Sequence, residues 1–149
     1  MRFMMLMIPK VYQGGEGEKA GADFTPSVVA IEKMMKYNEE LAKAGALLAL
    51  DGLQPPATAA RVAFARGKAV VSDGPFAESK EVLGGYWMIR AGSREEAIAW
   101  ARRVPAEDGD VIEVRQVFEN EDFPADARKA ADNPIVRAQV ERQEIGQRA

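Results

Sequence analysis

With 149 residues, the chain has room for one domain with a full core and too little for two. It carries 20 basic and 23 acidic side chains, a formal net charge of −3, and has neither cysteine nor histidine. That composition excludes disulfides, thiolate and imidazole metal sites, iron–sulfur clusters, cysteine nucleophiles and Ser–His–Asp arrangements. Any proton transfer must use carboxylate, lysine, tyrosine or the substrate itself. No run of Lys and Arg makes the basic stripe of a nucleic-acid binder. The apolar run from Phe3 to Ile8 is too short for a membrane span or a signal peptide. The expectation is a cytoplasmic protein with no metal, no cofactor, and no nucleic-acid or membrane partner.

Residues 2–8 read as a strand apolar on both faces. Phe3, Met5 and Met7 point one way and Met4, Leu6 and Ile8 the other, so both sides want covering. Residues 9–24 hold Gly14, Gly15, Gly17 and Gly21 among charges and read as a long loop of the lid type. Within it, residues 15–20 superficially match a GxGxxA dinucleotide pattern. Thr25-Pro26 starts the next helix several residues too late for that role, and Glu16 and Glu18 would repel a pyrophosphate.

The first helix is capped by Thr25 or Ser27 and stops at Gly45. Ala30, Met34, Tyr37 and Leu41 form its apolar stripe, broadened by Val28 and Ile31. Glu32–Lys36 and Glu39–Lys43 are i,i+4 pairs on the solvent side. Residues 46–50 form a short buried strand. Residues 61–65 and 68–72 form a hairpin around Arg66-Gly67. A turn-rich stretch follows, then a strand over 85–91 that is apolar on both faces except at Arg90. Ser93-Arg94-Glu95-Glu96 is a capping box, and Ala97, Trp100, Ala101 and Val104 give the second helix its stripe until Pro105. The last strand covers 110–118, with Ile112, Val114 and Phe118 on one face and Glu113 and Arg115 on the other. Residues 119–149 are polar and should form one or two short helices.

This order predicts an α+β fold, a ferredoxin-like split βαβ with an inserted β-hairpin and a C-terminal helical extension. Two helices cover only one face of such a sheet. A second copy of the chain is the simplest cover for the other, which predicts a homodimer.

Asp73-Gly74-Pro75-Phe76-Ala77-Glu78-Ser79-Lys80-Glu81 leads into Val82-Leu83-Gly84-Gly85-Tyr86-Trp87. The segment closely resembles the signature of the DGPF branch of the YCII-related family. The likeness extends to the Met-rich opening strand, Gly45-Ala46-Leu47-Leu48, Gly52-Leu53-Gln54-Pro55-Pro56, and residues 111–123. It implies a family domain over 1–118, with 119–149 as an extension, and a dimeric α+β barrel. Related YCII-type enzymes, a dehydrochlorinase among them, are associated with a His–Asp pair that this chain cannot supply. The branch is also linked to extracytoplasmic-function sigma factors, which implies a sigma-factor-linked partner and an accessory role in transcription initiation. The resemblance assigns no activity, and whether the chain is an enzyme stays open.

The signature itself has two readings. In the structural one, Asp-Gly-Pro is turn chemistry with Asp73 accepting local backbone bonds. Ser79 caps a short helical turn, and Gly84-Gly85 allows close backbone approach. In the functional one, Asp73 and Glu78 are acid–base carboxylates, and Pro75, Phe76, Lys80 and Tyr86 bind a small organic ligand, with Glu81 and Trp87 nearby. Glu107-Asp108-Gly109-Asp110 lacks the register of a calcium loop and reads as a solvated turn. Arg90, Glu113 and Arg115 can either line a barrel cavity or form edge-strand ion pairs.

Overall fold

The computed structural model describes residues 1–14, 20–76 and 81–148. The GxGxxA-like stretch at 15–19, and Glu78, Ser79 and Lys80 of the signature, lie outside the described residues. The chain divides into two compact units, Met1–Val117 and Phe118–Ala149.

In the first unit, β1 (Arg2–Ile8), β2 (Leu47–Gly52), β5 (Gly85–Arg90) and β6 (Val111–Gln116) make one sheet in the order β2-β5-β1-β6. All of its pairings are antiparallel. Helix α1 (Val28–Lys43) connects β1 to β2, and α2 (Arg94–Ala101) connects β5 to β6. Each strand–helix–strand unit encloses a strand of the other, so the two are interleaved. Between β2 and β5 in the chain, β3 (Ala60–Ala65) and β4 (Lys68–Asp73) form a separate two-stranded antiparallel sheet.

Local chemistry sets these boundaries. Ser27 Oγ accepts from the Ala30 amide at 3.2 Å and starts α1, while Gly45, at φ +68°, ends it. Ser93 Oγ accepts from the Glu96 amide at 3.1 Å, and Glu96 Oε2 accepts from the Gly92 amide at 2.7 Å. The Glu side chain thus reaches one residue beyond the reciprocal cap its spacing suggests. Arg66 and Gly67 both have positive φ, 52° and 74°, as a two-residue hairpin turn requires.

The core lies on one face of the four-stranded sheet. Phe3, Met5, Trp87 and Ile89 pack with Tyr37 and Leu41 of α1, Ala97 of α2 and Val104. Trp87 Nε1 donates to Asn38 Oδ1 at 2.8 Å inside this core, and the Tyr37 ring meets the indole edge-on at 5.9 Å. Tyr37 donates its hydroxyl to the Trp100 carbonyl at 3.0 Å. Burial pushes the Tyr37 phenol up to about 12, opposed by the charge of Arg103 and assisted by that of Glu40. A pKa raised on folding stabilises the native state below pH 10, and that contribution disappears as pH rises through about 12. Roughly 2–3 kcal/mol should therefore be lost across this window in wild type and retained in Tyr37→Phe, as read by urea unfolding against pH.

Four expectations need correction. Val28 and Ile31 do not join the buried stripe: they are 71% and 48% exposed, and only the later turns of α1, from Met34 onward, meet the core. The second strand runs over Leu47–Gly52 rather than 46–50, and no residue in it is fully buried. It is an edge strand with an irregularity between Leu47 and Ala49, so one flank has no neighbour. The last strand stops at Gln116, and Phe118 is exposed instead of facing the core.

The fourth correction concerns the second unit. There Phe118 meets Phe123 at 5.0 Å, followed by α3 (Ala125–Ala131) and α4 (Pro134–Arg148). At 15 residues, α4 is not short. Asn133 Oδ1 accepts from the Ile135 and Val136 amides, and Pro134 takes the first-turn position where its missing N–H costs nothing. Asn-Pro here starts a helix. Among the described residues, no helix is long and apolar enough to cross a membrane.

Candidate functional site

Strand register defines a second, different face of the sheet. Met4 lies opposite Met88, Leu6 opposite Tyr86, and Tyr86 opposite Asp51 on β2. Cross-strand partners share a face, and this one is opposite Phe3, Met5, Trp87 and Ile89. Both helices of the first unit pack against the latter set. Met4, Leu6, Tyr86 and Met88 are left half-buried, and Asp51, Arg90, Glu113 and Arg115 are exposed around them. Arg115 and Glu113 approach to 3.5 Å on β6. The face is apolar in the middle and charged at its margin.

Its cross-strand polar pair among the described residues is Tyr86 with Asp51. The Tyr86 hydroxyl donates to Asp51 Oδ2 at 2.7 Å. That hydrogen bond, then partial desolvation and the negative charge of the carboxylate, raise the phenol above its ordinary value of 10. Tyr86 is therefore a proton holder and hydrogen-bond donor at neutral pH, and Asp51 Oδ1 makes no hydrogen bond among the described residues.

The start of β5 is held in place by close packing. An added Cβ on Gly84 would stand 2.5 Å from the Pro9 ring, and one on Gly85 would stand 2.8 Å from the Asp51 carbonyl oxygen. The Gly84 amide donates to the Met7 carbonyl at 2.8 Å, and the Leu53 amide to the Gly84 carbonyl at 2.9 Å. Gln13 imitates a strand. Its Nε2 donates to the Val82 carbonyl at 3.0 Å, and its Oε1 accepts from the Val82 amide at 2.9 Å. Tyr12 donates to the Leu53 carbonyl at 3.0 Å and packs edge-on against Phe24. Burial raises the Tyr12 phenol as well.

The signature residues are distributed differently from their sequence order. Asp73 ends β4 opposite Ala60 and is exposed, and among the described residues its carboxylate makes no hydrogen bond or ion pair. The Gly74 amide that follows it donates to the Ala59 carbonyl at 2.7 Å. The Gly74–Pro75 bond is cis, and Pro75 is exposed. Phe76 is half-buried beneath the Arg61 guanidinium, whose carbon lies 3.8 Å from the ring centroid. Tyr86 belongs to the other sheet, and no hydrogen bond or ring contact among the described residues joins it to Asp73, Pro75 or Phe76. The carboxylate that Tyr86 does meet, Asp51, has no sequence signal of its own. Only the strand register across the irregularity in β2 brings the two together. A separate open groove of about 400 Å³ lies between α2 and β6, lined by Arg94, Ile98, Arg102, Ile112 and Val114. The described residues contain no acidic cluster of three that could hold a metal ion.

The YCII-related domain matches residues 1–121, which spans the four-stranded sheet, both of its helices and the signature. The chain belongs to the YCII-related family. A protein of Rhizobium meliloti (strain 1021), described only as uncharacterized, is 42% identical over 60 residues. That match takes in 40% of this chain and 48% of the relative, so it spans about half of the relative's length. The chain has no histidine, so no imidazole takes part in any site of this YCII-related domain. The cross-strand polar pair on its open sheet face is Tyr86–Asp51.

Proposed function

We propose that this YCII-related protein, of the DGPF branch, is a homodimer that binds a small organic molecule between two open sheet faces. The observation that supports it is the half-buried row Met4, Leu6, Met88 and Tyr86 ending at the Asp51 carboxylate. A second copy laid on this face would complete a dimeric α+β barrel of ferredoxin-like subunits. With strands running in opposite directions, the Arg90 end of one sheet would meet the Asp51 end of the other, so the face complements itself. The enclosed site would be an apolar slot with one donor, the Tyr86 hydroxyl, and one acceptor, Asp51. That pattern suits a small amphipathic molecule bearing an N–H or O–H group. Asp73, Pro75 and Phe76 would contribute to it from the base of a partner's β3–β4 hairpin.

Sedimentation should give a dimer, and Met88→Lys should convert it to a folded monomer. A wild-type monomer at tens of micromolar overturns the reading, since a specific interface of ordinary size holds at that concentration. For the ligand, calorimetry with tyramine, a phenol carrying an aliphatic amine, should show binding to wild type that weakens about tenfold or more in Asp51→Asn. Equal affinity in the two proteins removes Asp51 from the site.

The second reading is an accessory protein of sigma-factor regulation. It draws on α4, where Ile135, Val136 and Val140 are exposed on a helix rich in polar residues. Under it, Val136→Glu should abolish binding to the sigma-factor-linked partner and leave tyramine binding unchanged.

A further inference from the structure

We infer that the β3–β4 hairpin is a dimerisation arm that closes over the second copy of the chain, an inference that rests on the homodimer reading above. Every residue of both strands is exposed. Phe64 is 81% exposed, Val71 65% and Val62 53%. Val62 lies opposite Val71, and Phe64 opposite Ala69, so these three apolar side chains share one face of the hairpin, with Val70 on the other. A two-stranded hairpin is marginal in water unless a hydrophobic face packs on something. Among the described residues, the Gly74–Ala59 backbone bond and Arg61 over Phe76 tie its two ends together at the base.

Area and charge favour a second copy as the occupant. Four strands about 4.8 Å apart and six residues long present roughly 400 Å² per sheet. Two facing sheets would bury roughly 800 Å², below the ~1,200–2,000 Å² of a stable specific interface. Each arm is roughly 20 Å long and 10 Å wide, and two arms with the surfaces they meet bring the total into that range. The arm's length also equals the width of the sheet it would cross. Its charges are Arg61, Arg66 and Lys68 against Asp73 alone, on a chain of net charge −3, so a basic arm meets an acidic body. The arm leaves the sheet between Gly52 and Gly85, the end that carries Asp51 and Tyr86, and is continuous with the face to be covered.

The test combines sedimentation equilibrium with hydrogen exchange. In wild type, amides of residues 62–71 should exchange more slowly as protein concentration drives dimer formation. The double variant Phe64→Ser, Val71→Ser should raise the dimer dissociation constant about tenfold or more and keep the native near-ultraviolet signal of the core. A dimer that Met88→Lys breaks but the arm variant leaves intact overturns the arm and keeps the sheet interface. Exchange in 62–71 that is equal in monomer and dimer overturns it too, even if the variant fails to fold. A monomeric wild type removes the homodimer reading and the arm with it.

Discussion

Trp87→Ala should cost about 3–5 kcal/mol, the usual loss for truncating a buried aromatic side chain. Trp87 is 5% exposed and packs among Phe3, Met5, Tyr37 and Leu41 beneath both helices. Against a total stability of roughly 5–15 kcal/mol, that single change removes about a fifth or more of what keeps the domain folded. Its indole N–H adds a second effect, because Asn38 is its buried acceptor at 2.8 Å. Asn38→Leu should cost about 1–3 kcal/mol by stranding that donor, and Trp87→Phe should strand the Asn38 carbonyl in turn. Removing both leaves no orphan, so the double variant should be less destabilised than the sum of the two by about 1 kcal/mol or more. Urea unfolding followed by far-ultraviolet circular dichroism measures all three. Strictly additive losses would mean the bond contributes nothing net to folding.

Asn38 also marks where sequence reasoning stops. Ser27, Ser93, Gly45 and Arg66-Gly67 act through their immediate neighbours, and each boundary they signal is close to where the structure has it. The two-faced character of β1 and β5 was legible for the same reason, since alternation is a property of the strand alone. A polar residue one position after Tyr37 carries no such signal, because its partner lies 49 positions away. Val28 and Ile31 satisfy helical spacing and still stay exposed, because periodicity gives the direction of a face and not the length of sheet beneath it. Within the signature, adjacency in sequence placed Asp73, Phe76 and Tyr86 together. The topology puts Asp73 at the end of the hairpin and Tyr86 in the main sheet, beside a carboxylate 35 positions earlier.

Gly74→Ala should destabilise the protein by about 1–3 kcal/mol or more, although the neighbouring Asp73→Asn changes stability by less than about 0.5 kcal/mol. A Cβ on Gly74 would stand 1.9 Å from the Pro56 carbonyl oxygen and 3.2 Å from that of Ala59. Both are backbone atoms and cannot rotate aside, so β4 and the Pro56–Thr58 turn must separate, weakening the Gly74–Ala59 bond at the base of the arm. Gly52→Ala is the control. It has nothing within 4 Å and no positive φ, so it should be neutral or slightly stabilising through the unfolded chain. Asp73 is exposed and its carboxylate bonds to no described residue, which is why its amide analogue should fold as well as wild type. The pair of measurements separates the two meanings of the signature. A large loss at Gly74 with none at Asp73 makes the glycine a packing requirement and leaves Asp73 available for a ligand or a partner. A loss of about 1 kcal/mol at Asp73 would instead identify it as a cap.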